Sequence, residues 1–149
     1  GWRPENFEEK YPVTKISNVY SFNKYGTQHS KILMYWSAIQ MFVTLGLVSY
    51  LYLSIAQMEL QKIFIYGTFI FISVYSYTEL MDTNNYSLLW ESVRFVFGIG
   101  IISYFGNWFN IDANIPFGTQ IVLSYLAISL GVNIYFVSSG FKTEKLAIA

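Results

Sequence analysis

Apolar residues fill this chain in long, nearly unbroken blocks. Residues 32–58, 63–78, 95–111 and 113–141 carry no charged side chain at all. Crossing about 30 Å of hydrocarbon takes about 20 mostly apolar residues in a helix, so the blocks are of spanning length or close to it. A first span over about 32–58 would be about 40 Å long at 1.5 Å per residue, and must tilt or begin among the headgroups. A second, over about 63–81, reaches spanning length only by including Glu79. A third runs over about 88–109, with Asn84, Asn85 and Ser87 placed to cap its start. A fourth runs over about 117–139, with Pro116 in its first turn and Asn110, Asp112 and Asn114 in the turn before it. A transmembrane barrel would instead show segments of about ten alternating residues. The predicted fold is an all-α integral membrane bundle of four transmembrane helices over residues 32–141. A polar N-terminal arm (1–31) and a short tail (142–149) flank it. The arm is broken by Pro4, Pro12, Asn18, Asn23 and Gly26, and its only patterned stretch, 13–22, alternates weakly in the manner of an extended chain.

Composition narrows the function classes. Of 149 residues, 54% are hydrophobic and 12% charged, half the share of about 25% usual in soluble domains. Nine basic residues against nine acidic ones leave no basic stripe and argue against a nucleic-acid partner. The chain has no cysteine, which removes disulfides, thiolate metal sites and a cysteine nucleophile. One histidine, His29, cannot form a site of several imidazoles within this chain and reads as an ordinary surface residue. No phosphate-cradling glycine loop, Ser/His/Asp set or metal-ligand cluster is present, so no catalytic, cofactor-binding or metal residue is predicted. The opening Gly1-Trp2-Arg3-Pro4 lacks an initiator Met and a signal-peptide pattern, and reads as a segment that starts inside a longer protein.

The placement of charge orients the bundle. Four spans put both ends of the chain on one side, together with the loop at 82–87. That side receives Arg3, Lys10, Lys15, Lys24, Lys31, Arg94, Lys142 and Lys145, and the other keeps Lys62 alone. Basic residues accumulate on the cytoplasmic side of membrane proteins, so both termini are expected to be cytoplasmic. Trp36 and Trp90 are then expected at the inner interface and Trp108 at the outer one, as belt residues.

Few residues inside the spanning region can carry chemistry. Glu79 and Asp82 are three apart at the end of the second span, and Glu91 and Arg94 are three apart at the start of the third, so each pair shares a helix face. Two readings remain open. All four residues could form an interfacial charge network that closes the hairpin, with Arg94 snorkelling to headgroups. Alternatively Glu79, Glu91 and Arg94 form a buried cluster that docks a neighbouring catalytic domain or lines a substrate path. A transporter subunit would place charges near the bilayer midplane, and these lie toward helix ends. Gly46, Gly67, Gly98, Gly100, Gly106 and Gly131 fall within the spans, and Ala127-x3-Gly131 has the spacing that allows close helix approach; packing is the ordinary use of such residues, and a lipid slot beside Gly98 and Gly100 is the other. The tyrosines of the spans could bond across helices or line a cavity. Val19-x5-Tyr25-x5-Lys31 fits a loose sterol-contact pattern.

The arm and the hairpin together resemble a known family. Gly1-Trp2-Arg3-Pro4 and Lys24-Tyr25, leading into a Tyr/Trp-rich span, resemble the region after the catalytic part of alkylglycerol monooxygenase-like proteins of the sterol desaturase and fatty acid hydroxylase superfamily. Asp82…Ser87-Leu-Leu-Trp-Glu91-x-x-Arg94 is similar to a Leu-Leu, Glu-x-x-Arg run in their C-terminal membrane region. The resemblance implies a lipid-acting, oxygen-dependent di-iron oxidoreductase held in the membrane, with tetrahydrobiopterin as cofactor in the animal alkylglycerol enzyme. Iron in that family is held by clustered histidine boxes, which one histidine cannot supply, so no catalytic residue carries over. The resemblance therefore implies a non-catalytic C-terminal membrane domain whose partners are the bilayer, an upstream di-iron catalytic domain of the same protein, and a lipid substrate along a shared path. The alternative is an independent small membrane protein that binds lipid or scaffolds a complex.

Overall fold

A computed structural model describes residues 30–141. Residues 1–29 of the arm, with His29, the 13–22 stretch and most of the sterol-contact pattern, and the tail at 142–149 lie outside the described residues. The chain forms α1 (Lys31–Ser54), prolonged by a 3-10 turn at Ile55–Gln57, then α2 (Leu60–Met81), α3 (Ser87–Phe105) and, after a second 3-10 turn at Ile111–Ala113, α4 (Gly118–Ser138). All four are long and apolar enough to cross a membrane, and no strand occurs among the described residues. The fold is all-α, as the apolar blocks predict.

Local chemistry sets the helix ends. The Ser30 hydroxyl accepts the Leu33 amide at 3.2 Å and starts α1, as a side-chain cap does. In the α2–α3 hairpin Asn84 works in both directions. Its amide nitrogen donates to the Glu79 carboxylate at 2.7 Å, and its side-chain oxygen accepts the Tyr86 amide at 3.1 Å. The third span is shorter than the apolar pattern predicts. Gly106 takes a left-handed φ of 74° and ends α3, so residues 107–109 leave the helix despite their apolar character. The loop that follows bends back at Phe109, Asn110 and Phe117, all with positive φ. Phe117 is the N-cap of α4, so Pro116 precedes the helix instead of sitting in its first turn.

Sequential helices pack as antiparallel neighbours, while α1 and α4 meet mainly through side chains. The bundle exposes large apolar residues and buries polar ones along part of its axis. Large apolar residues such as Phe42, Leu53, Phe64, Phe71 and Val96 face outward. Ser37, Gln40 and Thr44 of α1, Ser73 and Ser76 of α2, Ser87, Glu91 and Arg94 of α3, and Ser129 and Asn133 of α4 face inward and are buried. Such an outer surface is compatible with lipid tails, and the inward polar groups are shielded by the protein interior.

The interior is layered along the bundle axis. Leu33, Leu80 and Phe136 close the hairpin end, which also places Lys31 and Phe141 at that end. The polar layer comes next. Beyond it lies an apolar core built around Tyr66, Phe69, Trp108 and Leu126, with the Phe69 and Trp108 rings edge-on at 4.6 Å. Gly98 lets α3 approach α4 there, since a Cβ on it would stand 2.6 Å from Leu126 Cδ1 and 3.2 Å from Phe69. Its use is packing. Gly100 and Gly131 have open space where a Cβ would be, and Ala127 is exposed with Gly131 on the outer face of α4.

Candidate functional site

The polar layer is organised by Glu91 and Arg94, both wholly buried. Glu91 is four residues into α3, and Arg94 lies about 10 Å along it, roughly a third of its length at 1.5 Å per residue. Their spacing puts them one turn apart on the inward face, where Arg94 Nη2 donates to Glu91 Oε1 at 2.5 Å. The other three helices supply the remaining partners. The Ser76 hydroxyl of α2 donates to Glu91 Oε2 at 2.6 Å. On α4, Ser129 Oγ accepts from Arg94 Nη2 and from Gln40 Nε2 of α1, the latter at 3.1 Å. Arg94 Nη1 lies 3.4 Å from the Tyr125 hydroxyl, and the guanidinium carbon lies 5.3 Å from the centroid of that ring. A second link, Ser87 Oγ to Asn133 Oδ1 at 3.3 Å, joins α3 to α4 nearer the hairpin.

Both carboxylate oxygens of Glu91 and both terminal nitrogens of Arg94 are thus occupied by side chains of the bundle. Charges taken out of water need this degree of satisfaction, because an uncompensated ion in the interior costs several kcal/mol. Arg94 Nε, Gln40 Oε1 and Asn133 Nδ2 have no partner among the described residues; they mark polar points in the layer where internal water would bond. The arrangement clamps four helices through one charged pair.

The structure separates the four charged residues picked out by spacing. Glu91 and Arg94 come together in the layer, and Arg94 does not extend to headgroups. Glu79 is half-buried and turned to Asn84, where it holds the hairpin. Asp82 is exposed. Spacing did not reveal the partners Gln40, Ser76, Tyr125 and Ser129. Of the tyrosines, Tyr50 donates to Phe109 O at 3.1 Å and Tyr66 to Leu47 O at 3.0 Å, so these two bond between segments, while Tyr52, Tyr104 and Tyr135 face outward. Trp36 and Trp90 stand at the hairpin end, half-buried, with Trp90 packed on Tyr75 at 4.6 Å. Trp108, expected as a belt residue, is fully enclosed and directs its indole nitrogen at the Tyr66 hydroxyl, 3.4 Å away.

At the other end, Asp112 anchors the start of α4. Its carboxylate accepts the Thr119 amide at 2.9 Å and the Thr119 hydroxyl, and that hydroxyl accepts the Trp108 amide at 2.9 Å. The Thr119 hydroxyl and then its amide hold the Asp112 carboxyl below the usual carboxylate range, as expected for an anion at a helix N-terminus. Among the described residues no three His, Cys, Asp or Glu side chains gather as a metal site requires. No protein family, curated protein or solved structure matches the chain.

Proposed function

We propose that the chain is the non-catalytic membrane domain of a sterol-desaturase-like lipid hydroxylase, anchoring that enzyme in the bilayer and packing against its catalytic helices. One observation carries the reading. The Glu91-x-x-Arg94 run, one of the stretches that carry the family resemblance, turns both its charges inward and binds them to α2 and α4, with α1 joined through the Gln40–Ser129 bond. In this reading the motif serves assembly, and the histidine-held di-iron centre belongs to a segment before Gly1. The asymmetry of basic residues supports an orientation with the 82–87 hairpin and both termini on the cytoplasmic side, facing that centre.

The coding frame upstream of Gly1 tests the placement. Histidine clusters in frame support it, and a start codon immediately before Gly1 would replace it with a self-standing lipid-binding or scaffolding membrane protein. Arg94→Met in the whole enzyme tests the role. The amount of folded, membrane-integrated enzyme should fall while turnover per folded molecule on a lipid substrate stays within about twofold. Full integration with lost turnover would place Arg94 in the chemistry and sink the proposal.

A further inference from the structure

A cavity of about 360 Å³ opens at the bundle end opposite the hairpin, between the close of α1, the start of α2 and the loop after α3. This lies within the size range of small-ligand pockets. Its lining has an uncommon chemistry for this chain. It includes one cation, Lys62, and four carboxamides, Gln57, Asn107, Asn110 and Asn114, and no carboxylate.

The positions of these groups point in the same direction. Lys62 bends over the wall of the cavity, its ammonium 5.7 Å from the centroid of the Phe105 ring. Its nearest carboxylate, Glu59, is 3.8 Å away and 75% exposed, and an exposed pair of this kind is worth little. The other acid of this end, Asp112, is engaged by Thr119. Asn107 uses its side-chain oxygen to accept the Asn110 amide at 2.7 Å, which leaves its NH2 group free to donate. The same segment keeps Phe109 and Asn110 at φ of 48° and 64°, a left-handed conformation that asparagine adopts readily and phenylalanine seldom does. Lys62 and the unengaged Asn107 NH2 therefore line a space whose own lining carries a positive charge and no carboxylate, Glu59 meeting the ammonium from outside it. The depth is also specific. Lys62 is in the first turn of α2, where the chain passes from the loop into the apolar span, the place at which a spanning helix meets the headgroups.

We propose that this cavity binds a phosphate oxyanion, that of a phospholipid headgroup, with Lys62 as the counter-charge and the carboxamides as donors. Phe105 and Met58 supply the apolar side against which the first carbons of the lipid lie. The site is independent of which enzyme the domain serves.

The test uses the protein in detergent and nanodiscs, with phosphatidylglycerol, the diacylglycerol of the same chains, and inorganic phosphate as probes. Native mass spectrometry counts retained lipid, and hydrogen exchange over residues 106–114 localises it away from the basic arm. Phosphatidylglycerol should be retained at least tenfold better than diacylglycerol and should slow exchange in this loop. Lys62→Met and Asn114→Leu should each reduce both effects about tenfold without shifting the melting temperature, and Lys62→Arg should restore them. Protection by inorganic phosphate that depends on Lys62, with no lipid retained, also supports the site and identifies free phosphate as its source. Equal retention of the two lipids without such protection, or loop protection untouched by Lys62→Met and Asn114→Leu, overturns the proposal.

Discussion

Removing Arg94 alone should be among the most damaging single changes in the bundle. Arg94→Met keeps the length and apolar bulk of the side chain but leaves the Glu91 carboxylate wholly buried, with the Ser76 hydroxyl as its remaining partner. Breaking a buried pair in this way costs about 3–5 kcal/mol, because the surviving charge is uncompensated. Ser87→Ala, which removes the bond to Asn133, provides the scale for a neutral contact in the same layer, and side-chain hydrogen bonds between membrane helices average about 0.6 kcal/mol with a ceiling near 2. The double variant Glu91→Leu/Arg94→Met removes both charges and should return to within about 1 kcal/mol of the parent, since a packed apolar replacement of a buried pair is often neutral or stabilising. Equilibrium unfolding in mixed micelles titrated with sodium dodecyl sulfate, followed by tryptophan fluorescence, gives all three free energies. A loss below about 1 kcal/mol for Arg94→Met would refute the account, and so would a double variant as unstable as Arg94→Met alone.

Three further outcomes follow from other parts of the fold. Gly98→Ala should cost about 1–3 kcal/mol through overpacking against Leu126 and Phe69, read in the same unfolding assay, while Gly100→Ala, which has open space, should be close to neutral. Asp112 has a folded-state pKa lowered from 3.8, so its contribution is present above that value and is lost as pH falls through the lower folded value. Protection of the Trp108 and Thr119 amides, taken relative to the intrinsic exchange rate at each pH, should fall on acidification below the unfolded value, and Asp112→Asn should flatten that response. Because the chain is free of cysteine, Asp82→Cys and Asp112→Cys report sidedness directly. In sealed inside-out vesicles an impermeant maleimide should label position 82 and spare 112, and the reverse pattern would invert the orientation.

The spans were legible in the sequence because charge is missing over long runs, and hydrocarbon imposes that requirement on every helix regardless of its neighbours. Interior and lipid-facing sides were less legible, since both accept apolar residues. Trp108 illustrates this: its hydrophobicity suits a belt position and a core position equally, and the left-handed turn at Gly106, which swings it inward, is a backbone event. The polar partners of the ion pair were missed for another reason. Gln40 and Ser129 are 89 residues apart, and neither has meaning until the helices pack. A usable signal was nonetheless present. Ser37, Gln40 and Thr44 recur at three and four, as do Ser87, Glu91 and Arg94, while Ser129 and Asn133 are four apart and Ser73 and Ser76 three. Each set draws one polar stripe on a helix whose other faces are apolar, and in lipid that stripe marks the inside. Glu79 and Asp82 were grouped with Glu91 and Arg94 by proximity along the chain, yet Glu79 turns to Asn84 in the hairpin and Asp82 is exposed.

The position of the ion pair bears on how the protein is made. Membrane helices enter the bilayer before they pack together, and an isolated Glu or Arg near the middle of an inserting helix is penalised by about 2.5–3.5 kcal/mol. Glu91 and Arg94 belong to the same helix, so α3 brings its own counter-charge into the lipid and needs no other segment to be present when it inserts. Ser76, Tyr125, Ser129 and Gln40 are required only later, when the helices associate. The buried Glu91–Arg94 pair is therefore compatible with synthesis in chain order, with α4 arriving after α3 to complete the contacts of a guanidinium already neutralised by its own helix.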